Sequence, residues 1–257
     1  MPRRALAEVG YAHYTPKFQS SYSTQSMSQL LSEFDLLERD EFAPYGANRF
    51  RRYGSGVILP WKNDGEISWL PAVVDALGRK RAGYSQGDHN PDYAGVRDFP
   101  SLSEDVRSSP MLLELVREDF SLTFWASHEQ RLPIYVGVHF IKLTSRGAHD
   151  PGVSSPDCFH QDGEPFTFAH LIHRSEGLAG GINYIGQPSL RNVPMEQANC
   201  SEIIATFTLD KPLESFAVHD PKVTHFVSPI IRPEGHRSDT CERCMVLIDF
   251  SPTVQKI

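Results

Sequence analysis

The chain has 257 residues, of which 40% are hydrophobic and 22% charged, a composition typical of a folded globular protein rather than a disordered or fibrous one. Its net charge is −7, and its basic clusters at 49–54 and 78–83 are short and separate, which indicates that nucleic acid is not a partner. No apolar run is long enough to span a membrane or to form a signal peptide, so we expect a cytoplasmic protein without membrane contact.

The N-terminal half predicts two helices with irregular connections. Residues 23–39 place their apolar side chains on one helical face, after a serine or threonine that can cap the first turn. Residues 108–120 predict a second helix, with Ser109 as the cap and Pro110 at the first helical position. Between them a short β segment with a turn is followed by the stretch YSQGDHNPDYAGVRDFP (84–100), which its turn-forming residues mark as a loop.

From residue 133 onward the chain has the pattern of short strands. Runs of β-branched and aromatic residues are separated by Gly, Pro, Asn and Asp clusters, as in antiparallel all-β folds. The seven runs are 132–143, 165–174, 181–186, 202–209, 214–220, 223–230 and 244–250. We therefore predict a mainly β fold with flanking α-helices and a jelly-roll core, organised as a single domain over residues 1–257. In it, residues 1–130 form a helical and irregular buttress and residues 131–251 form the core.

The segment FHQDGEPFTFAHLIHR (159–174) contains a candidate metal-binding pair. Residues i and i+2 of a strand point to the same face, so His160 and Asp162 can reach one ion while Gln161 points away. A lone His-x-Asp pair is a weak signal, because a loop histidine beside a turn aspartate gives the same pattern.

A third ligand and a cationic residue strengthen the metal hypothesis. The segment HDPKVTHFVSPI (219–230) offers His219 and His225, and two histidines with one carboxylate leave three positions open, as in non-haem iron(II) oxygenases. A 2-oxoglutarate cosubstrate also needs a cation for its far carboxylate. Arg243 begins an otherwise apolar strand and needs an anionic partner if it is buried there.

These motifs occur in the same order in a known family. HQDG (160–163), GG (180–181), HFVSPI (225–230) and RCMVLIDF (243–250), together with N-terminal stretches at 33–61 and 84–100, make the chain similar to one group of enzymes. It resembles the bacterial iron(II)/2-oxoglutarate-dependent dioxygenases typified by the free L-isoleucine hydroxylases. The resemblance covers about residues 26–251, which is most of the chain.

The resemblance implies a fold, a reaction and a set of site residues. The fold is the double-stranded β-helix, a cupin-like jelly roll, and the reaction couples decarboxylation of 2-oxoglutarate to hydroxylation of a free amino acid, a small-molecule substrate. Iron(II), 2-oxoglutarate and O2 are the implied cofactors. The motifs assign the metal to His160, Asp162 and His225, and the cosubstrate carboxylate to Arg243; His225 is preferred to His219 because it directly precedes FVSPI.

Further residues are candidates for supporting roles. We predict that His139 and His219 either support the metal ligands or contact the cosubstrate; the alternatives are a hydrogen-bonded core histidine for His139 and a strand-end residue for His219. A free amino acid needs a cation and polar groups near the iron. The candidates for substrate binding are Arg51, Arg52, Gln86, Asn90, Arg174 and Tyr184. The CERC motif (241–244) is interpreted as ordinary buried thiols, since no second CxxC accompanies it.

Other functions remain open at this stage. The same cofactor chemistry can act on a carrier-bound or natural-product substrate, or lead to desaturation. A zinc hydrolase with the same three ligands is a second class, although HExxH and Gly-x-Ser-x-Gly elements are missing from the sequence. A non-catalytic jelly-roll binding module is the third. The amino acid, the carbon attacked and the oligomeric state do not follow from the sequence.

Overall fold

The computed structural model describes residues 1–18, 24–86, 95–154 and 156–253. Its α-helices are α1 (Pro2–Val9), α2 (Thr24–Asp35), α3 (Glu104–Arg107) and α4 (Pro110–Leu122). Both predicted helices are confirmed, although α2 ends at Asp35 and residues 38–39, predicted to be helical, form a strand. Helix α4 begins at Pro110 as expected, but the side chain of Ser109 makes no capping hydrogen bond. Among the described residues, no helix has the length and apolarity needed to cross a membrane.

Sixteen strands are present in the described residues. In chain order they are β1 (Tyr11–Tyr14), β2 (Glu38–Arg39), β3 (Arg49–Ile58), β4 (Ile67–Trp69), β5 (Val73–Val74), β6 (Lys80–Ser85), β7 (Val96–Pro100), β8 (Ile134–Ser145), β9 (Phe166–Arg174), β10 (Ala179–Gly180), β11 (Ile182–Gly186), β12 (Ile203–Thr208), β13 (Ser215–His219), β14 (Thr224–Val227), β15 (Ile230–Ile231) and β16 (Cys241–Pro252). All seven predicted runs contain strands.

The strands form one large sheet and three small ones. The large sheet has the order β1-β13-β9-β16-β8-β3-β2, with β4 also paired to β3. The small sheets are β12-β11-β14, β5-β6-β7 and β10-β15, and these pairings are antiparallel throughout. The large sheet facing β12-β11-β14 gives the double-stranded β-helix that the resemblance implied.

The N-terminal half contributes more strand than the sequence predicted. Strands β1 to β4 join the large sheet: β1 pairs with β13, while β3 pairs along its whole length with β8 and also holds β2 and β4. This sheet therefore crosses the expected boundary at residue 130. Strand β7 lies inside the stretch 84–100, which was wrongly predicted to be a loop throughout; there the turn residues hid a short alternating run. Organisation as one domain stays a prediction.

Alternation along the central strands divides the large sheet into two faces. On β16, Val246, Ile248 and Phe250 pack toward the helices in the main hydrophobic core, whereas Met245 and Leu247 face the smaller sheet. The same parity holds on β8 and β9. The helices therefore cover one face of the sheet, and the other face is left to line a pocket.

A buried polar network joins α4 to the large sheet. The His170 ring lies 2.8 Å from Asp119 Oδ2 through Nε2 and 2.8 Å from Ser215 Oγ through Nδ1, and Tyr14 donates its hydroxyl to Asp119 Oδ1 at 3.0 Å. Burial raises the pKa of the Asp119 carboxyl, while His170 and Tyr14 oppose that rise. His170 is thus a structural residue on the helix-facing side of β9.

Candidate metal centre and active-site pocket

The three predicted metal ligands meet at one point between the sheets. His160 Nε2 lies 3.6 Å from Asp162 Oδ1, and His225 Nε2 lies 3.4 Å from Asp162 Oδ2. One donor atom from each residue lies within 4.8 Å of the others. A single cation at about 2 Å from each donor can bridge such spacings.

Backbone pairing brings the two histidines together. His160 and His225 form an isolated antiparallel bridge, with each amide donating to the other's carbonyl at 3.0 Å. His160 Nδ1 lies 2.9 Å from the carbonyl oxygen of Cys158, which can only accept, so Nδ1 carries the proton. The Nε2 lone pair of His160 therefore points to Asp162 and is available to a metal.

Asp220 holds the loop that carries Asp162. Its carboxylate accepts the backbone N–H groups of Asp162 at 2.9 Å and Gly163 at 3.0 Å. Gly163 has φ +93°, a conformation that favours glycine. Thr167 adds a hydroxyl hydrogen bond to Asp162 Oδ2 at 3.2 Å. Sequence reasoning missed Asp220, whose only local signal is an Asp-Pro pair after β13.

Protonation states at the site suit a divalent cation. Burial raises the pKa of the Asp162 carboxyl, but His225, His160 and the hydrogen bonds from Thr167 and Gln86 outweigh it, so the net pKa is lowered. Burial, followed by the nearby His160, lowers the pKa of His225 to about 4. An ionised carboxylate and a neutral imidazole are the forms that bind metal.

Arg243 lies in the same pocket and is buried there. Its side chain is 3% exposed, and within the described part of the chain its Nε and Nη2 have no hydrogen-bond acceptor. Burial, and then the adjacent Arg174, lower its pKa to about 10. Gly181, at φ +65°, lies so close that a Cβ there would be 3.3 Å from Arg243 Cδ. A buried cation in this state fits an anionic ligand such as a carboxylate.

One pocket connects the metal ligands to Arg243. Its walls come from the inward face of the large sheet and from β14, with apolar side chains between the two polar ends. The apolar lining consists of Ile141, Leu143, Pro156, Ala169, Phe216, Val227, Met245 and Leu247. The donor set and the orphaned guanidinium atoms therefore fit iron and a dicarboxylate cosubstrate in one enclosed space.

The remaining wall comes from the N-terminal strands. Arg51, Tyr84, Gln86 and Arg97 line the pocket, and Gln86 donates to Asp162 Oδ1 at 3.3 Å. Gln86, one of the predicted substrate-binding candidates, thus lies in the pocket wall. Sequence reasoning missed Arg97, because it lies in the stretch taken for a loop and only its pairing in the β6-β7 hairpin turns it inward.

His139 bridges two charged residues of this wall. Arg51 Nη2 lies 2.6 Å from His139 Nδ1, and His139 Nε2 lies 2.8 Å from Asp249 Oδ2. Arginine can only donate, so Nδ1 accepts and the ring proton lies on Nε2, directed at Asp249. Burial, followed by Arg51 and Arg97, lowers the pKa of His139 well below its ordinary value, so the ring is neutral. His139 therefore orients Arg51 and is not a metal ligand.

Because His139 is neutral in the folded protein, we expect the free energy of unfolding to depend on pH. In the unfolded chain His139 takes a proton below its ordinary pKa near 6.5, whereas the folded ring does not, so its contribution to stability falls as the pH drops below about 6.5. Between pH 7 and pH 5 this loss approaches about 2 kcal/mol. Urea unfolding at both pH values should therefore show a smaller acid loss in His139→Gln than in the wild type. Asp249 and other groups titrate in both proteins, so only the difference between the two losses of unfolding free energy reports on His139. Equal losses in the two proteins would contradict a neutral His139.

Of the predicted site residues, two lie away from the pocket and one lies outside the described part of the chain. Arg52 was wrongly placed at the pocket: its neighbour Arg51 points inward, so alternation turns Arg52 outward, where it pairs with Glu33 at 3.1 Å. His219 lies at the end of β13 and stacks on Phe166, 4.8 Å between centroids, outside the pocket lining. Asn90 lies outside the described residues.

Arg174 and Tyr184 also lie outside the pocket lining. Arg174 is beside Arg243 in the sheet, but its Nη2 donates to the carbonyls of Leu178 at 2.6 Å and Gly180 at 3.0 Å, which fixes it as a structural residue. Tyr184 pairs with Phe226 across β11 and β14 and stacks on it, on the face opposite His225. Neither residue is placed to contact a substrate in this pocket.

The cysteines lie as the sequence predicted. Cys241 and Cys244 are buried and free. Burial raises the pKa of the Cys244 thiol, so it stays protonated and unreactive. The CERC motif contributes to packing of β16 at these two positions.

The fold and the site together define a class of protein. A double-stranded β-helix with a His-Asp-His donor set that leaves coordination positions open is the arrangement of non-haem iron oxygenases. Residues 32–247 match the sequence profile of the 2OG-Fe dioxygenase family, and the chain belongs to this family. It is therefore an enzyme that uses iron(II), 2-oxoglutarate and O2, which confirms these predictions and sets aside the zinc hydrolase and the non-catalytic module.

Similar proteins include two curated enzymes and a solved structure. The L-isoleucine-4-hydroxylase of Bacillus thuringiensis is 26% identical over 214 residues, covering 82% of this chain and 78% of that protein. The 3(1)-hydroxy-L-isoleucine 4-dioxygenase of Pantoea ananatis (strain AJ13355) is 26% identical over 266 residues, covering 98% and 95%. The crystal structure of IDO from Bacillus thuringiensis superposes with a TM-score of 0.73 at 21% identity, covering 98% of both chains, which supports the fold.

Proposed function

We propose that this enzyme hydroxylates a free L-amino acid while it decarboxylates 2-oxoglutarate to succinate and CO2. The observation that carries the proposal is one pocket holding the donor triad and Arg243, two of whose buried nitrogens have no acceptor among the described residues. Both curated relatives are named for isoleucine-type amino acids, and both align with most of this chain. We place this small-molecule substrate and the reaction in the cytoplasm. The alternative substrate is a carrier-bound amino acid or a natural product.

The positions of the site residues support a role for each of them. His160, Asp162 and His225 hold the iron, and Arg243 receives the far carboxylate of 2-oxoglutarate through a bidentate salt bridge. When bound, iron(II) with 2-oxoglutarate and O2 supplies the oxidising power to decarboxylate the cosubstrate and to hydroxylate an unactivated C–H bond.

The chain's own contribution is orientation and exclusion of water. Asp220 fixes the loop of Asp162 through two backbone N–H groups, and Thr167 and Gln86 fix its carboxylate. Such supporting hydrogen bonds keep metal ligands in one geometry. The apolar side chains between the triad and Arg243 exclude water, so the substrate carbon held nearest the iron is the one that reacts.

A succinate assay tests this function. Purified enzyme with iron(II), ascorbate and 2-oxoglutarate is screened against the twenty free amino acids, and succinate and hydroxylated product are measured by mass spectrometry. We expect at least one amino acid to raise succinate formation roughly ten-fold or more over the reaction without it, because substrate binding directs the oxidant to product. If none of the twenty does so while 2-oxoglutarate still binds, the free amino acid is wrong and the carrier-bound alternative takes its place.

A further inference from the structure

Two buried arginines line the pocket on the side away from Arg243. Arg51 on β3 is 7% exposed, and Arg97 on β7 is 2% exposed. Their guanidinium groups lie over aromatic rings, Arg51 at 4.3 Å from the Phe99 centroid and Arg97 at 5.0 Å from that of Tyr84. Stacking on rings holds each planar group rigid and leaves its N–H edge available for a ligand.

These two charges have no anionic partner in the described residues. The nearby arginines are paired, Arg49 with Asp40 at 2.8 Å and Arg52 with Glu33. For Arg51 and Arg97, by contrast, no carboxylate lies within 4.0 Å, and each Nε lacks an acceptor, within residues 1–18, 24–86, 95–154 and 156–253. Buried charges are normally paired, so this arrangement indicates a place for an anion.

The two guanidinium groups also act on each other. Burial, and then the charge of Arg51, lower the pKa of Arg97 to about 10, so the Arg97 guanidinium stays protonated at neutral pH. An anion between them would relieve this repulsion and satisfy their free N–H groups.

Hydrogen bonds connect Arg97 to the candidate metal centre and hold Arg51 in the wall of the same pocket. Arg97 Nη2 donates to Gln86 Oε1 at 2.5 Å, and Gln86 Nε2 donates to Asp162. On the other side, His139 holds Arg51. An anion bound to Arg97 is therefore separated from the carboxylate of Asp162 by one side-chain amide, that of Gln86.

This anion site is distinct from that of the cosubstrate. Arg51 lies on β3 and Arg243 on β16, with β8 between them, so the two strands are roughly 10 Å apart. Arg51 also leans toward His139, which lies further along the sheet from Arg243. The pocket thus has two separate cationic regions, one at Arg243 and one at Arg51 and Arg97.

We infer that Arg51 and Arg97 form the receptor for the α-carboxylate of the substrate amino acid, and that the enzyme therefore requires a free carboxylate. The inference rests on the proposed hydroxylation of an amino acid and restricts its substrates to those with a free carboxylate. A carrier-bound or amidated amino acid has no charge to place between the two guanidinium groups and leaves them buried and unpaired. The receptor thus selects against the carrier-bound alternative.

The wild-type enzyme tests the inference from the ligand side. Each of the twenty amino acids is compared with its carboxamide, which keeps nearly the same size and loses the charge. For every amino acid that stimulates succinate formation, we expect kcat/KM with the carboxamide to fall about ten- to one hundred-fold, as for loss of a charge-assisted hydrogen bond. Calorimetric titration of the iron- and 2-oxoglutarate-loaded enzyme without O2 should show the same loss in affinity.

Substitution of Arg97 tests it from the protein side. In Arg97→Gln, the Kd of the most active amino acid should rise about ten- to one hundred-fold, and in Arg97→Lys by less, while the Kd of 2-oxoglutarate stays within about two-fold. Arg81→Gln is the matched control, since Arg81 is a buried arginine on the paired strand β6, is bonded to Glu41 and lies outside the pocket lining. It should change neither Kd.

The outcomes separate the two proposals. Carboxamides as active as the acids, or an unchanged amino-acid Kd in Arg97→Gln that still binds 2-oxoglutarate, would overturn the receptor and leave hydroxylation standing. No stimulation of the wild type by any amino acid would instead overturn hydroxylation of free amino acids. If Arg97→Gln fails to bind 2-oxoglutarate, the carboxamide comparison on the wild type decides.

Discussion

Replacing Asp162 with alanine should abolish tight iron(II) binding and lower amino-acid-stimulated succinate formation by about a thousand-fold or more. Asp162 supplies the only anionic donor of the triad and lies 3.4 and 3.6 Å from the two histidine donors. Two neutral imidazoles bind iron(II) weakly, and metal catalysis contributes several kcal/mol, each 1.4 kcal/mol being about ten-fold in rate.

Iron content after anaerobic loading and desalting is the direct measurement, with succinate yield as the second. Asp239→Ala is the control, since Asp239 is exposed and outside the pocket lining, and it should match the wild type in both. Retention of stoichiometric iron by Asp162→Ala would show that the metal lies elsewhere. Loss of iron with an unchanged unfolding transition would separate ligand loss from misfolding.

Replacing Arg243 with leucine should raise the Kd of 2-oxoglutarate by about one hundred-fold or more while iron binding persists. Its Nε and Nη2 lack partners among the described residues, so a bidentate salt bridge to a carboxylate is available to them. Hydrogen bonds to charged groups contribute about 1.5–3 kcal/mol each, and two of them give the expected loss. Leucine fills a similar apolar volume and removes the buried charge, so stability should not fall.

Arg174→Gln is the matched control for Arg243. The two arginines are paired across β9 and β16, but Arg174 donates to backbone carbonyls outside the pocket lining. Its substitution should leave the Kd of 2-oxoglutarate within about three-fold, because only the weak field of a neighbouring charge changes. Calorimetric titration of iron-loaded protein without O2 gives both values. A larger effect in Arg174→Gln than in Arg243→Leu would reverse the assignment.

The sequence predicted those parts of the site that depend on local pattern. His160 and Asp162 are two residues apart, and the two-residue periodicity of extended chain alone places their side chains on the same side of the backbone. The strands after residue 133 were predicted because clear turn residues bound them. The family motifs then added His225 and Arg243, whose meeting with the first pair depends on the bridge between His160 and His225.

The residues that sequence reasoning misplaced or missed depend on register and on distant contacts. Arg51 and Arg52 are adjacent, and only the pairing of β3 with β8 decides which of them faces the pocket. Arg97 and Asp220 act through partners far away in the chain, Gln86 in one case and the amides after His160 in the other. No periodicity within one segment records such contacts, so they follow only from the three-dimensional arrangement.

The β6-β7 hairpin has a consequence for how specificity in this enzyme can change over evolution. Tyr84 on β6 and Arg97 on β7 reach the pocket from this small sheet, which is separate from the segments that carry the triad and from β16, which carries Arg243. Mutations in the hairpin can therefore alter which small molecule is accepted while the oxidising machinery is inherited unchanged. Divergence of substrate range among such enzymes should accordingly concentrate in the N-terminal strands, and directed evolution toward new amino acids should begin there.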